Sequence, residues 1–418
     1  MYQAPRGTSD ILPAEQPYWR YVEREAVNIC QLYGYERIDL PVFEDTQLFT
    51  RSVGEETDIV TKEMYTFEDR GGNSLTLRPE GTAPVCRAYL EHGLHNLLQP
   101  VKLYYIASIF RYERPQAGRY RQHYQFGCEA IGDDDPALDA EVIDMAWRFF
   151  VGLGIQRMSL NLNSIGCKQC RPQYLSALED YYAGHVQELC PECKVRLRRN
   201  PLRLLDCKTP RCQQLADCAP RSVDYLCPQC NEHFGRLMKY LKLLGLPFVI
   251  NHRLVRGLDY YTRTVFEIQP EEEKAQSTIG GGGRYDDLIE ELGGKHTPAI
   301  GFGTGIERII VNLKKQGVPV PPLAKPRVFI AYVGDEAKDE AVKLASSLRM
   351  KGIGVIEALG NKSLKAQLRQ ADSLDTQHAV IIGEQELKAG TVILRDMNTG
   401  KQEILSIGQL PALLGNPR

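Results

Sequence analysis

Apolar positions in the first part of the chain follow two different periods. Trp19, Val22, Ala26, Ile29 and Tyr33 recur at the spacing of one helix face, which predicts a long helix from near Glu15 to Tyr33, stopped by Gly34. Beyond it the period shortens. MYTFED (64–69) and SLTLRP (74–79) read as paired strands around the turn formers Gly71, Gly72 and Asn73. KLYYIASIFRYE (102–113) and HYQFGCEAIG (123–132) read as two longer strands. Strands joined by short turns predict a largely antiparallel sheet. The same pattern returns in 248–269 and in the glycine run before Arg284. Between them, 165–231 has few strand signals and holds nine of the twelve cysteines, so it reads as an insertion. The proline-rich stretch GVPVPPLAKP (317–326) reads as a linker. After it, strands alternate with helices and end in a hairpin, the pattern of a small α/β domain with a partly parallel sheet. The expected organisation is α+β: a core in two parts (1–164 and 232–316), an insertion (165–231), a linker (317–325) and a terminal domain (326–418).

Composition narrows the function classes. With 418 residues, 43% of them apolar and 25% charged, the chain has material for two or more packed cores and is not broadly disordered. A net charge of −2 gives no global attraction to nucleic acid, which leaves local patches open. The opening MYQAPRGTSD lacks a basic stretch leading into an apolar one, and no apolar run approaches membrane-spanning length. No membrane partner and a reducing, cytoplasmic location are therefore expected, where cysteines serve as metal ligands, buried thiols or reactive groups rather than as a disulfide scaffold.

No Gly-x-x-x-x-Gly-Lys-Ser/Thr loop is present, which disfavours a P-loop NTPase, and GFGTGIER (301–308) has Ile306 where a dinucleotide loop needs its last glycine. What stands out instead is a set of arginines, Arg111, Arg256 and Arg308, in segments that otherwise read as buried sheet or glycine-rich turn. A guanidinium stays charged and grips phosphate oxygens in a planar fork. Glu80, Glu113, Glu129 and Asp259 accompany them. Carboxylates in such surroundings form ion pairs or meet a cationic ligand.

These segments together resemble the histidyl-tRNA synthetase family of bacterial type, within the class II aminoacyl-tRNA synthetases, over nearly the whole chain. The segment around Pro41 resembles motif 1, FRYERPQAGRYRQHYQFGCE (110–129) motif 2, and GFGTGIER (301–308) motif 3. LVRGLDYY (254–261) and GGGRYD (281–286) resemble the two histidine-specific signatures. The resemblance implies a class II antiparallel-sheet catalytic core and a C-terminal α/β anticodon-binding domain. It implies activation of L-histidine by ATP with Mg²⁺, transfer to tRNA(His), and a homodimer formed through motif 1. By position, Arg111 and Arg256 would flank the α-phosphate and Arg308 would hold the γ-phosphate while stacking on the adenine. Glu113 would contact the adenine. His123, where relatives commonly carry Phe, would stack on it too. Glu80, Gly81, Thr82 and Gln125 would hold the amino group of the substrate. Glu129 and Tyr261 would read the imidazole nitrogens, with Tyr260 and Tyr285 closing the pocket. Arg114, Gln116, Arg119 and Arg121 would meet the tRNA acceptor end.

The insertion goes beyond the family pattern. Cys167/Cys170, Cys190/Cys193 and Cys227/Cys230 are three C-x-x-C pairs, Cys207 and Cys212 a looser fourth, and Cys218 is left over. Two such pairs supply the four thiolates of a structural zinc site, so up to two Zn²⁺ are expected, with the partnering of the pairs open. The pairs do not follow a strand of a βαβ unit, which disfavours a thioredoxin-like role. From Lys194 to Arg221 eight basic residues face two acidic ones, a local net of +6 that suits phosphate. The principal rivals are a histidine-sensing regulatory subunit of ATP phosphoribosyltransferase and a synthetase for threonine, proline or glycine. The first is disfavoured by the three arginines and the terminal domain, the second by LVRGLDYY with Glu129.

Overall fold

Trp19, Val22, Ala26 and Cys30 form the buried stripe of the helix Gln16–Leu32, one of the layers that cover a large sheet. The computed structural model describes residues 2–54, 57, 59–112, 120–271, 278–360 and 362–415, which form two units, Met1–Pro321 and Pro322–Arg418. In the first unit the strands are β1 (Glu36–Arg37), β2 (Phe43–Asp45), β3 (Tyr65–Glu68), β4 (Ser74–Leu77), β5 (Val101–Phe110), β6 (Gln122–Ile131), β7 (Met158–Ser164), β8 (Phe248–Ile250), β9 (Thr262–Pro270), β10 (Gly280–Arg284) and β11 (Ala299–Gly305). Eight of them make one sheet in the order β1-β5-β6-β11-β10-β9-β7-β8, and β2-β4-β3 form a small one. The large sheet is antiparallel except at its two ends, where β1 runs parallel to β5 and β8 to β7.

Alternation along the strands decides which face carries what. On β6, Phe126, Cys128 and Ala130 join the main hydrophobic core with Phe149 and Phe150 of the helix Pro136–Gly152. Ile300 and Phe302 of β11 and Phe266 and Ile268 of β9 point the same way. The other face is left to Gln125, Gly127 and Glu129 of β6 and Gly301 and Gly303 of β11, and all the candidate pocket chemistry lies there. A charged tie crosses the helix-covered side. Arg284, fully buried, donates to Asp139 (2.7 Å), Asp286 (2.8 Å) and the Asp133 carbonyl (2.7 Å), while His233 meets Asp139 at 2.8 Å. Each nitrogen of that guanidinium has a partner, as a buried cation requires.

Two sequence expectations change here. LVRGLDYY is not sheet: residues 251–261 form an irregular loop before β9. Its polar backbone groups are met from a distance, Leu254 O by Asn163 Nδ2 (3.1 Å) and Asp259 N by Val53 O (3.3 Å), and its aromatic content lines a pocket rather than a pleat. Nor does any of the three arginines lie in a strand. Arg111 follows β5, Arg256 is in the loop, and Arg308 is in the first turns of the helix Ile306–Lys315. They stand at the ends of elements, where a guanidinium reaches past the sheet.

The cysteine-rich stretch is helical: Arg171–Ala183, Pro191–Arg199 and Pro210–Asp217 pack around Tyr174, Leu178, Tyr182, Leu204 and Leu215. A fourth helix, Pro228–Leu243, runs on through position 231 and gives Phe234, Leu237 and Leu241 to the main core. The second unit has its own core around Val328, Ile330, Leu344, Leu348 and Val380. Its strands, β12 (Val328–Tyr332), β13 (Val355–Glu357), β14 (His378–Ile382), β15 (Thr391–Asp396) and β16 (Gln402–Ser406), lie in the order β13-β12-β14-β15-β16. The first three are parallel and the last two form the expected antiparallel hairpin. Among the described residues no helix is long and apolar enough to cross a membrane.

Candidate active site

The open face of the sheet is floored by glycines. A Cβ on Gly301 would lie 1.9 Å from Glu129 Oε2, and one on Gly303 2.2 Å from Gln125 Nε2. On Gly81 or Gly127 it would strike the Tyr105 ring at 2.3 or 2.4 Å. These glycines are required by close approach of their neighbours, which for Gly301 include the Cys128 carbonyl at 2.5 Å, not by their own torsions. Gly281 and Gly283 do the same for Arg256 and Tyr261.

Over this floor stands Glu129, only 1% exposed. Thr82 Oγ1 donates to its Oε1 (2.7 Å) and the Tyr285 hydroxyl to its Oε2 (2.5 Å). Burial nevertheless pushes its carboxyl up to about 8, against the pull of those two donors and with nearby Glu80 adding to the rise. Tyr260 and Tyr261 pack at 4.8 Å between ring centroids, and Tyr260 meets Tyr285 edge-on at 5.7 Å. Gln125 Nε2 donates to the Tyr105 hydroxyl at 3.0 Å. Glu80 is buried at the start of the helix Thr82–Glu91, where its oxygens accept from the Thr82 and Ala83 amides at 2.6 and 2.8 Å. Burial raises its carboxyl, while those amides and Arg111 oppose the rise. Each oxygen retains a second lone pair for a cationic ligand.

The arginines meet beside this pocket. Arg256 lies over the Tyr261 ring, 5.8 Å from its centroid, and pairs with Glu267 of β9. Thr278 donates through Oγ1 to the other Glu267 oxygen (2.8 Å), and its carbonyl accepts from Arg308 Nη1 (2.6 Å). Arg256 and Arg308 are thus joined through two residues. Arg111 is fixed by donation from Nε to the Pro79 carbonyl (2.7 Å). His123, half-buried on β6, lies within the fields of both Arg111 and Arg308. Burial first, then those two cations, lower its imidazole to about 3, so it is a neutral ring. Arg121 stacks over Tyr112 at 4.0 Å, and its amide donates to Gly7 O at 2.7 Å. Glu113, Arg114, Gln116 and Arg119 lie outside the described residues.

Glu267, Thr278 and Tyr105 escaped sequence reasoning. Glu267 had a signal, the one acid of its strand, set between apolar Val265, Phe266 and Ile268; Thr278 and Tyr105 are recognisable only from what they touch. The cysteines converge as two tetrads, Cys167/Cys170/Cys227/Cys230 and Cys190/Cys193/Cys207/Cys212, while Cys218 is exposed. Parts of the basic stretch are neutralised locally, Arg196 by Glu192 (2.6 Å) and Arg221 by Asp224 (2.9 Å).

A pocket for a small cation-bearing ligand, set beside convergent guanidinium groups, suits joining that ligand to a phosphate ester. Comparison with known proteins agrees. The model of the histidyl-tRNA synthetase family matches residues 7–170 and 173–309, and that of the anticodon binding domain matches 327–416. A histidine–tRNA ligase of Dehalococcoides mccartyi is 64% identical over 410 residues, 98% of either chain. That of Desulforamulus reducens is 51% identical over 97% of both chains. The crystal structure of apo S. aureus histidyl-tRNA synthetase superposes with a TM-score of 0.84 at 37% identity, covering both chains completely.

Proposed function

The chain belongs to the histidyl-tRNA synthetase family, and from that premise we infer that it activates histidine with ATP and then loads it onto the 3′ end of tRNA(His). The carrying observation is the buried Glu129, held between Thr82 and Tyr285 on a glycine floor, next to three guanidinium groups. A bound imidazole presents N–H on one side and a nitrogen of adaptable polarity on the other. Glu129 accepts the N–H, Tyr261 meets the second nitrogen, and Tyr260 and Tyr285 wall the ring. Glu80, Thr82 and Gln125 take the ammonium at the Gly81 turn.

Attack of the histidine carboxylate on the α-phosphorus brings two anions together. Arg111 and Arg256 lower that barrier by neutralising phosphoryl charge as it develops, and Arg308 takes the departing pyrophosphate. Glu267 and Thr278 hold Arg256 and Arg308 in place before substrate arrives, which spares reorganisation during the reaction. His123, uncharged, offers a flat face to the adenine, with Glu113 contacting its edge. Mg²⁺ bound with the nucleotide would supply further neutralisation of its phosphates.

Residues 326–418 read the anticodon, and the basic segment with Arg114, Gln116, Arg119 and Arg121 contacts the acceptor end. We place the enzyme in the cytoplasm as a homodimer. Histidine-dependent exchange of pyrophosphate into ATP tests the reading. Histidine alone among the standard amino acids should support it, and Arg256→Ala should abolish it without changing oligomeric state. Exchange supported by another amino acid, or near-normal exchange by that variant, would refute it.

A further inference from the structure

We propose that the insertion carries two structural Zn²⁺ ions, one in each cysteine tetrad, and that the first of them fixes the wall of the histidine pocket. In each tetrad the four sulfurs lie within 4.8 Å of one another. The Sγ–Sγ separations are 3.7 Å for Cys167–Cys170, 3.9 Å for Cys167–Cys227 and 3.8 Å for Cys190–Cys207. A tetrahedral ion with Zn–S of about 2.3 Å has edges of about 3.8 Å. These three separations match edges of that tetrahedron and are much too long for disulfides.

The surroundings add backbone donors to several of these sulfurs. Backbone amides point at the sulfurs: Cys167 N at Cys170 Sγ (3.2 Å), Cys193 N at Cys190 Sγ, Cys190 N at Cys212 Sγ and Thr209 N at Cys207 Sγ (each 3.4 Å). A neutral sulfur is a weak acceptor, whereas a metal-bound thiolate is a strong one oriented by such bonds. Cys190 and Cys227 each immediately precede a helix that begins with proline, Pro191–Arg199 and Pro228–Leu243, so both sit at the positive end of a helix dipole, where a metal-bound sulfur is well placed.

The two sites differ in what they hold. The second lies inside the small core of the insertion, with Cys193, Cys207 and Cys212 buried among its leucines and tyrosines, and compensates for a core too small to stand alone. The first joins the beginning of the insertion to its end. Arg171, next to Cys170, donates Nη2 to the Tyr261 carbonyl at 2.5 Å and to the Gly166 carbonyl at 3.3 Å. An ion there would hold the Arg171 backbone, and Arg171 holds the residue we assign to the imidazole. This second half rests on the assignment of Tyr261 made above, whereas the presence of the ions does not.

The test uses the full chain, purified under reducing conditions from cells grown with zinc. Elemental analysis should find two Zn²⁺ per chain, with one lost in Cys193→Ser and the other in Cys230→Ser. As a check independent of variant folding, wild-type protein stripped by a chelator and refilled with Co²⁺ should show the charge-transfer and d–d bands of tetrathiolate coordination. Cys230→Ser should raise KM for histidine by about tenfold or more, the scale of a displaced binding group, with a smaller rise in Cys193→Ser. Absence of zinc, iron in its place, or disulfides within the tetrads on mass analysis would overturn the ions. A single equivalent would overturn one site. Two ions with an unchanged KM in Cys230→Ser would overturn the positioning role alone.

Discussion

Glu129 carries the tension between stability and function at the scale of one residue. A carboxyl raised to about 8 by burial holds its proton in the folded chain long after the unfolded chain has released it. Its contribution to stability is therefore present below the ordinary glutamate value and is lost as pH rises through about 8. Glu129→Gln should accordingly raise the thermal midpoint at pH 8, with the gain shrinking toward pH 5; a variant less stable than wild type at pH 8 would contradict this. Binding works in the opposite sense. An imidazole N–H needs the ionised carboxylate, so the KM for histidine should fall between pH 7 and 8, in a window above the titration of free imidazole. Steady-state exchange kinetics across that range check the slope. Gly301→Ala places a methyl 1.9 Å from Glu129 Oε2. Displacing that oxygen by about an ångström should cost on the order of a hundredfold in kcat/KM, with little change in the circular dichroism of the fold.

Elements were legible where their pattern was local. The helix Gln16–Leu32 and the strands β3 to β6 end within a few residues of where periodicity puts them, because one face of each is buried and its spacing shows it. The loop 251–261 was not legible as a loop, since Tyr260 and Tyr261 are buried for a pocket and mimic strand content. The sites followed the same division. Motif residues such as Arg111, Glu129 and Arg308 could be singled out from their neighbours, but the bridge from Arg256 through Glu267 and Thr278 to Arg308 joins distant segments and has no signature in sequence. Likewise the partnering of cysteine pairs depends on how four helices return to one another. Arg284 makes the element-scale prediction. It ties β10 to the helix Pro136–Gly152 through Asp139, and Arg284→Met removes the guanidinium that neutralises that buried acid. A loss of about 3–5 kcal/mol is expected, seen as a shifted denaturation midpoint for the first unit.

For the whole molecule, the separate cores of Met1–Pro321 and Pro322–Arg418 allow the two steps of the reaction to be taken apart. All described residues assigned to histidine and ATP belong to the first unit. A chain ending at Pro321 should keep histidine-dependent exchange within a few-fold while losing most of its kcat/KM for tRNA(His); loss of exchange with the fold intact would show that the second unit serves the adenylate chemistry. The sheet that bears this chemistry has bare backbone beneath the ligand. Nothing can be trimmed from Gly127, Gly301 or Gly303, and anything added collides with a neighbour that is itself needed. A laboratory selection for variants that accept an altered imidazole should therefore recover changes among the tyrosines and polar groups around the ring and none underneath it, because that surface has already reached its minimum.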